Sequence, residues 1–299
     1  LNRFDSFLAS LLNGGEARPS GLRRIIRRRA PQSLRRVVRS MLRRALGGRW
    51  EMAPAGWDTP VRGWDVPTVA EMQGERWKNF ATAIGGTAPL TIPYEHAGGH
   101  VVGIAGHNAA MAFAYVLMVA AHERKRLRVL DWGGGLGHYA LLARAAVVDT
   151  EVDYFVFDFP TTVARGRELV EDVTFYSDRG EALSRTYDLI VASSSLWYER
   201  DWQTAIADLT RSCGDYLFVT RMGMVTDAPS FVTVQQPVES GYQTEFLCWI
   251  LNESEFVSHV SSIGMELVRE FLIDSGPEIK GAPERPEMRG YLFRKTRER

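Results

Sequence analysis

Between Arg128 and Gly137 a short apolar run gives way to four glycines, Gly133, Gly134, Gly135 and Gly137, with one acid, Asp131, placed before them. Glycines at such a strand-to-helix turn let the backbone bend sharply and approach a ligand closely, because a Cβ would occupy the ligand's place. The spacing is D-x-G-x-G-x-G with no Lys-Ser/Thr pair behind it. That excludes a Walker A phosphate loop and leaves a nucleotide-like ligand or a plain tight turn. The run Tyr154–Phe157 ends at a second acid, Asp158, where an open α/β sheet places the tip of its second strand. An acid there can accept hydrogen bonds from both hydroxyls of a ribose. Asp178, after Val173–Tyr176, can accept from an adenine amino group or cap the helix that follows. Ser193, Ser194 and Ser195, then Leu196, Trp197 and Tyr198, put small polar residues and aromatic rings on the same carboxyl edge.

The elements that must position these groups are legible as alternating patterns. Strand-like runs stand at Leu127–Trp132, Tyr154–Phe157, Val173–Tyr176, Leu189–Ser193, Tyr216–Thr220, Glu266–Ile273 and Gly290–Arg294, mostly separated by helix-length segments. Alternation of this kind predicts an α/β fold with a doubly wound, mainly parallel sheet and right-handed crossovers. Helical patterning also covers Val69–Ile84, about Gly106 to Glu123, and Glu253–Ile263. Residues 49–68, rich in Trp, Gly, Pro and Asp, read as an irregular connector anchored by its rings.

The 299 residues are 45% apolar and 24% charged, enough for one large α/β domain with an appendage. With only Cys213 and Cys248 and no CxxC pair, neither a disulfide framework nor a cysteine zinc site can be built, and a reducing, cytoplasmic setting is the expectation. The most apolar stretch, Ala105 to Ala121, is interrupted by His107 and Asn108, short of the ~18 consecutive apolar residues of a membrane span. The net charge of zero conceals an asymmetry. Residues 1–50 hold 13 Arg and no Lys against Asp5 and Glu16, a net +11, and the remainder carries −11. From Leu22 to Leu46 the apolar residues fall at helical spacing with Arg between them, and Pro31 divides the pattern into two short basic helices.

From Leu127 to Arg294 the sequence resembles the class I S-adenosylmethionine-dependent methyltransferases, through V-L-D-W-G-G-G-L-G at 129–137, F-V-F-D-F-P at 155–160 and Y-D-L-I-V-A-S-S-S-L at 187–196. More narrowly it is similar to a bacterial group of methyltransferases whose genes accompany surface-polysaccharide synthesis. That group has a similar D-x-G-G-x-L-G turn, an acid closely followed by Pro, a T-V-Q-Q segment like Thr233–Gln236 and a C-W like Cys248-Trp249. The resemblance implies a seven-stranded sheet with an antiparallel last strand, preceded by an N-terminal helical segment. It implies S-adenosyl-L-methionine as cofactor, with Asp131, Gly133, Gly135 and Gly137 at its amino-acid part and Asp158 at the ribose. Phe159 would lie beside the adenine, with Asp178 matching more loosely and Ser193 and Ser194 on the same edge. No [DN]-PP-[YFW] motif follows the fourth strand, which argues against methylation of nucleobase amines.

The expected organisation is an Arg-rich arm at 1–48, a helical and irregular cap at 49–124, and a cofactor domain at 125–299 with an acceptor-binding insertion at 222–251. Gln235, Gln236, Tyr242 and Trp249 in that insertion offer amides for hydroxyls and rings for C–H faces. Methyl transfer to an alcohol needs alignment and a group that takes the proton. His107 and His100 are the favoured candidates, ahead of His138, with Tyr198 and Glu199 competing; each also reads as an ordinary loop, cap or core residue. The cluster His96, His100 and His107 fits no common metal-ligand spacing, so no metal is expected. The leading expectation is therefore O-methylation of a glycan or other hydroxylated metabolite. The arm lies on an anionic membrane at its inner face, docks on protein, binds nucleic acid, or serves as a transit segment. A nucleic-acid methyltransferase and a non-catalytic binding scaffold are the rival readings.

Overall fold

The computed structural model describes residues 49–91, 103–237 and 242–296. The Arg-rich arm and the candidates His96 and His100 lie outside the described residues. In chain order the strands are β1 (Arg49–Met52), β2 (Arg126–Trp132), β3 (Glu151–Phe157), β4 (Val173–Tyr176), β5 (Tyr187–Ser193), β6 (Cys213–Val225), β7 (Phe231–Gln236), β8 (Phe246–Asn252), β9 (Met265–Asp274) and β10 (Glu287–Lys295). The helices are α1 (Pro67–Ile84), α2 (Ile104–Ala121), α3 (His138–Ala146), α4 (Pro160–Leu169), α5 (Arg179–Ala182), α6 (Trp202–Ser212) and α7 (Glu253–Ser262).

Local chemistry explains the helix starts. Pro67 and Pro160 occupy the first turn of α1 and α4, where a missing N–H costs nothing. Asp201 accepts from the Thr204 amide at α6, and Asn252 accepts from the Glu255 amide at α7. Along α1, Val69, Gln73, Trp77 and Phe80 recur at helical spacing and are buried.

Strands β4, β3, β2, β5 and β6 run parallel in that spatial order, and β10 lies antiparallel to both β6 and β9. Side chains alternate across this sheet. Val129, Val191, Phe218 and Leu292 face the layer of α2, α3 and α4, whereas Leu130, Ile190, Leu217 and Phe293 face the layer of α6 and α7. Burial on both faces explains why these strands read as nearly continuous apolar runs. α2 is, among the described residues, the one helix long and apolar enough to cross a bilayer, with mean hydropathy 1.5. Its face of Ala109, Phe113, Val116, Leu117 and Ala120 is buried in the core.

Among the described residues the sheet has ten strands rather than seven. β6 is 13 residues long, and beyond its pairing with β5, which ends at Thr220, its last residues, Met224 and Val225, pair with Leu251 and Asn252 of β8. Antiparallel pairing of β7 with β8 and of β1 with β7 then continues the sheet. Much of the expected insertion at 222–251, and the start of the connector at 49–68, is therefore strand. A strap between β9 and β10 secures the extension, where the Lys280 amide donates to the Trp50 carbonyl and the Met52 amide donates to Lys280.

Close packing of α4 on β4 depends on Gly166, whose added Cβ would sit 2.5 Å from the Phe175 ring. Overpacking costs about 1–3 kcal/mol, against a helix-propensity gain of about 1 kcal/mol for Ala over Gly. Gly166→Ala is expected to lose about 1 kcal/mol net in urea unfolding. A gain in stability would contradict this packing.

Candidate active site

β2 delivers its last residues into a turn whose backbone only glycine adopts without strain: Gly133, Gly135 and Gly137 have φ of +69°, +59° and +86°. The Gly133 amide donates to the Phe157 carbonyl at 2.8 Å, joining the turn to the end of β3. A Cβ at Gly133 would lie 2.4 Å from the Ser195 Cβ, and one at Gly134 would lie 2.5 Å from the Asp131 Cγ. At these two positions the space left by glycine is thus filled by the chain's own side chains, not kept for a ligand. Trp132 supports the turn from below. Its ring stacks on Phe157 with centroids 4.1 Å apart, its Nε1 donates to Glu199 Oε1 at 3.2 Å, and the Arg179 guanidinium lies 5.1 Å above it.

Two carboxylates flank this turn. Asp131 is 1% exposed; its Oδ2 accepts from the Tyr154 hydroxyl at 3.1 Å, and its Oδ1 has no hydrogen-bond partner among the described residues. Burial pushes its pKa up to about 7, the Tyr154 hydroxyl opposes the shift, and the charge of Asp158 adds to it. Asp158 Oδ2 accepts from the Gly135 amide at 2.8 Å, and its Oδ1 accepts from the Phe159 amide at 2.7 Å. Burial raises its pKa and the two amides offset part of the rise. The acid at the tip of β3 therefore holds the glycine turn directly.

The remaining expected residues divide into two groups. Ser193 Oγ lies 2.8 Å from the Tyr139 hydroxyl, and Ser194 has φ +54° while its amide donates to the Thr220 carbonyl. Phe159 is 47% exposed beside Asp158. Asp178 Oδ1 accepts from the Glu181 amide, so here it caps α5. Tyr198, in a short 3-10 turn at Leu196–Tyr198, donates to Gln235 Oε1 at 2.8 Å. Tyr242 accepts from Gln73 Nε2 at 3.3 Å, and Trp64 contacts both tyrosine rings. Gln236 pairs with Arg49 in the β1–β7 ladder, and Trp249 donates to the Arg200 carbonyl and packs on Trp57. These last two join the hairpin to its neighbours.

Three of the candidate proton acceptors, Tyr198, His107 and His138, fall within the described residues. Burial raises the Tyr198 pKa well above 10, so it keeps its proton and acts as a donor. His107 Nδ1 lies 2.9 Å from the Leu90 carbonyl in the first turn of α2, which fixes its ring against the backbone. His138 is buried against Trp77 and Phe80, and desolvation lowers its pKa to about 3, so it stays neutral. Among the described residues no three His, Cys, Asp or Glu side chains gather as metal ligands. Tyr154, Tyr139 and Glu199 as the partner of Trp132 were not singled out for these roles by spacing. Strand alternation carries a signal for one of them, since it places Tyr154 on the same face as Val156, which pairs with Asp131.

No protein-family model matches the chain, and no curated protein matches it. Among solved structures it is similar to magnesium protoporphyrin IX methyltransferase from Synechocystis with bound S-adenosylmethionine. The two are 14% identical, covering 79% of this chain and 99% of that one, with a TM-score of 0.45. It is also similar to an S-adenosylmethionine-dependent methyltransferase from Methanosarcina mazei, at 15% identity, coverage of 60% and 98%, and a TM-score of 0.44. A 4+2 cyclase matches at 16% identity, coverage of 77% and 96%, and a TM-score of 0.47. Likeness at this level carries no argument about chemistry.

The Asp131 geometry sets a pH dependence. Its folded pKa of about 7 stands above the unfolded value near 3.9, so between these pH values the folded chain holds a proton that the unfolded chain has lost. Stability contributed by this group falls as pH rises from about 4 to about 7. Asp131→Asn is expected to flatten that fall when urea unfolding is compared at several pH values. An unchanged profile would contradict the burial of a titrating carboxyl.

Proposed function

We propose that the protein is an S-adenosylmethionine-dependent methyltransferase acting on a hydroxyl of a glycan or related hydroxylated metabolite. The observation that carries this reading is the pair of carboxylates on a left-handed glycine turn, one of them fully buried with an Oδ1 that has no partner among the described residues. An orphaned buried carboxylate oxygen is costly and suits a cationic ammonium group. Asp131 with Gly133, Gly135 and Gly137 would hold the amino-acid part of the cofactor, and Asp158 the ribose. Phe159 offers an exposed ring to the adenine, with Asp178, Ser193 and Ser194 on the same edge. When bound, the cofactor supplies an electrophilic methyl group.

The chain's own residues supply orientation and exclusion of water. Ser193 and Tyr139 fix one hydroxyl pair at the tip of β5, and Tyr198 with Gln235 fixes another donor and amide beside it. The insertion's rings and amides support a hydroxylated acceptor, because rings cover C–H faces while amides bind hydroxyls. The Arg-rich arm fits an anionic membrane surface, which agrees with a lipid-linked saccharide as acceptor. Salt-sensitive sedimentation with phosphatidylglycerol vesicles, lost on removing residues 1–48, is expected; sedimentation indifferent to salt and to the arm would contradict that assignment.

Calorimetry with S-adenosylhomocysteine tests the cofactor claim. The folded chain is expected to bind it, and Asp158→Ala to weaken binding by about 1–3 kcal/mol through lost charge-assisted hydrogen bonds. Absence of heat with folded wild-type protein would overturn the reading. A methyl-mass gain in a lipid-linked glycan extract would identify the acceptor class.

A further inference from the structure

We propose that the cleft between α5 and α6 binds the phosphate group of a small phosphorylated metabolite, at a site separate from the glycine turn. This does not depend on the methyltransferase reading above.

The placement follows from the strand ends. The cleft has a volume of about 460 Å³, and its lining includes Arg179 and Gly180, which follow β4, and Thr186 and Ser212, which immediately precede β5 and β6. It therefore reaches the amino ends of these two strands, whereas the glycine turn follows the carboxyl end of β2. Small-molecule sites occupy about 300–1,000 Å³.

The charge of the lining selects the ligand. Three guanidinium groups, Arg179, Arg185 and Arg211, stand against one carboxylate, Asp208. The excess of two positive charges matches a phosphate monoester, which carries nearly two negative charges, better than a carboxylate with one. Glu199, outside the lining, is 3.7 Å from Arg179 and already accepts from Trp132.

The three cations are held in two ways. Asp208 accepts from Arg179 on Oδ2 at 2.7 Å and from Arg211 on Oδ1, so one carboxylate of α6 orders two arginines. Arg185 is held by rings instead. Its guanidinium carbon lies 5.5 Å from the Phe155 centroid and 5.9 Å from that of Tyr176, and these rings stack 6.3 Å apart. Among the described residues no carboxylate pairs with Arg185. Ring faces position a guanidinium without cancelling its charge or using its N–H donors. Its planar fork then remains to take two phosphate oxygens at once. Ordering these side chains in advance also lowers the entropic cost of binding. Ser184 and Ser212, in the same lining, donate to the Glu181 and Leu183 carbonyls, and each hydroxyl oxygen can still accept. A phosphorylated sugar meets both demands, with its phosphate on the arginines and its hydroxyls on the serines.

Isothermal titration of the full chain at constant ionic strength tests this with three probes: glucose 6-phosphate, glucuronate and glucose. Glucose 6-phosphate is expected to bind saturably and at least about tenfold more tightly than glucuronate, glucose to give no heat, and excess S-adenosylhomocysteine not to displace the phosphate. Arg185→Gln should lower affinity for glucose 6-phosphate at least about tenfold, as for loss of a charge-assisted contact. If that variant does not fold, Arg211→Gln, on α6, is read instead with the same expected loss. Residues 1–48 stay in every variant, so phosphate held by the Arg-rich arm would survive either substitution. No binding of glucose 6-phosphate, equal binding of glucuronate, displacement by S-adenosylhomocysteine, or undiminished affinity in the variant read would overturn the proposal and leave the three arginines as a solvated ion network only. If S-adenosylhomocysteine does not bind, the cofactor reading fails, and the variant still decides the cleft.

Discussion

A carboxylate buried at the tip of a parallel strand must be hydrogen-bonded, paired or protonated, and the turn between β2 and α3 is shaped by how two such groups meet that demand. Asp158 meets it with backbone, accepting the amides of Gly135 and Phe159. That bond makes the position of the glycine turn depend on the end of β3. Asp131 meets it only in part, with Tyr154 on one oxygen and, among the described residues, no partner on the other. The difference separates the two acids, Asp158 as the clamp of the turn and Asp131 as the group to which the proposed function gives the cofactor's amino group.

Backbone strain gathers at the same edge. Gly133, Gly135 and Gly137 share left-handed φ with two residues that do not favour it, Ser194 after β5 and Arg221 within β6. Thr220, between the last two, pairs with Ser193 and accepts the Ser194 amide through its carbonyl. Conformations of this cost persist where surrounding structure holds them in place. Here the holding is done by sheet pairing on both sides of β6 and by the ring of Trp132, fixed between Phe157, Glu199 and Arg179.

The central strands were legible in sequence because burial on both faces makes them apolar runs, and the acids ending two of them marked the carboxyl edge. Other features follow from pairing that periodicity does not encode. β1 has four residues and sits in a stretch rich in Trp, Gly and Pro, so its ladder to β7 was masked by turn signals. The aromatic and amide side chains of β7 and β8 read as acceptor-binding composition, and spacing gave no sign that Trp249 donates to the Arg200 carbonyl or that the Gln236 backbone pairs with Arg49. His107 drew attention by residue type, and the Leu90 carbonyl that holds it lies outside any local pattern. Arg221 offered no signal, since a bulge at a non-glycine residue runs against propensity and shows only when β10 is laid beside β6.

A crystal structure of the chain with S-adenosylhomocysteine bound measures the central claim directly. The account predicts density over the Gly133–Gly137 turn, with the ribose hydroxyls on the Asp158 carboxylate and the amino group on Asp131 Oδ1. Ligand seated elsewhere, with Asp131 Oδ1 still unpartnered, would contradict it.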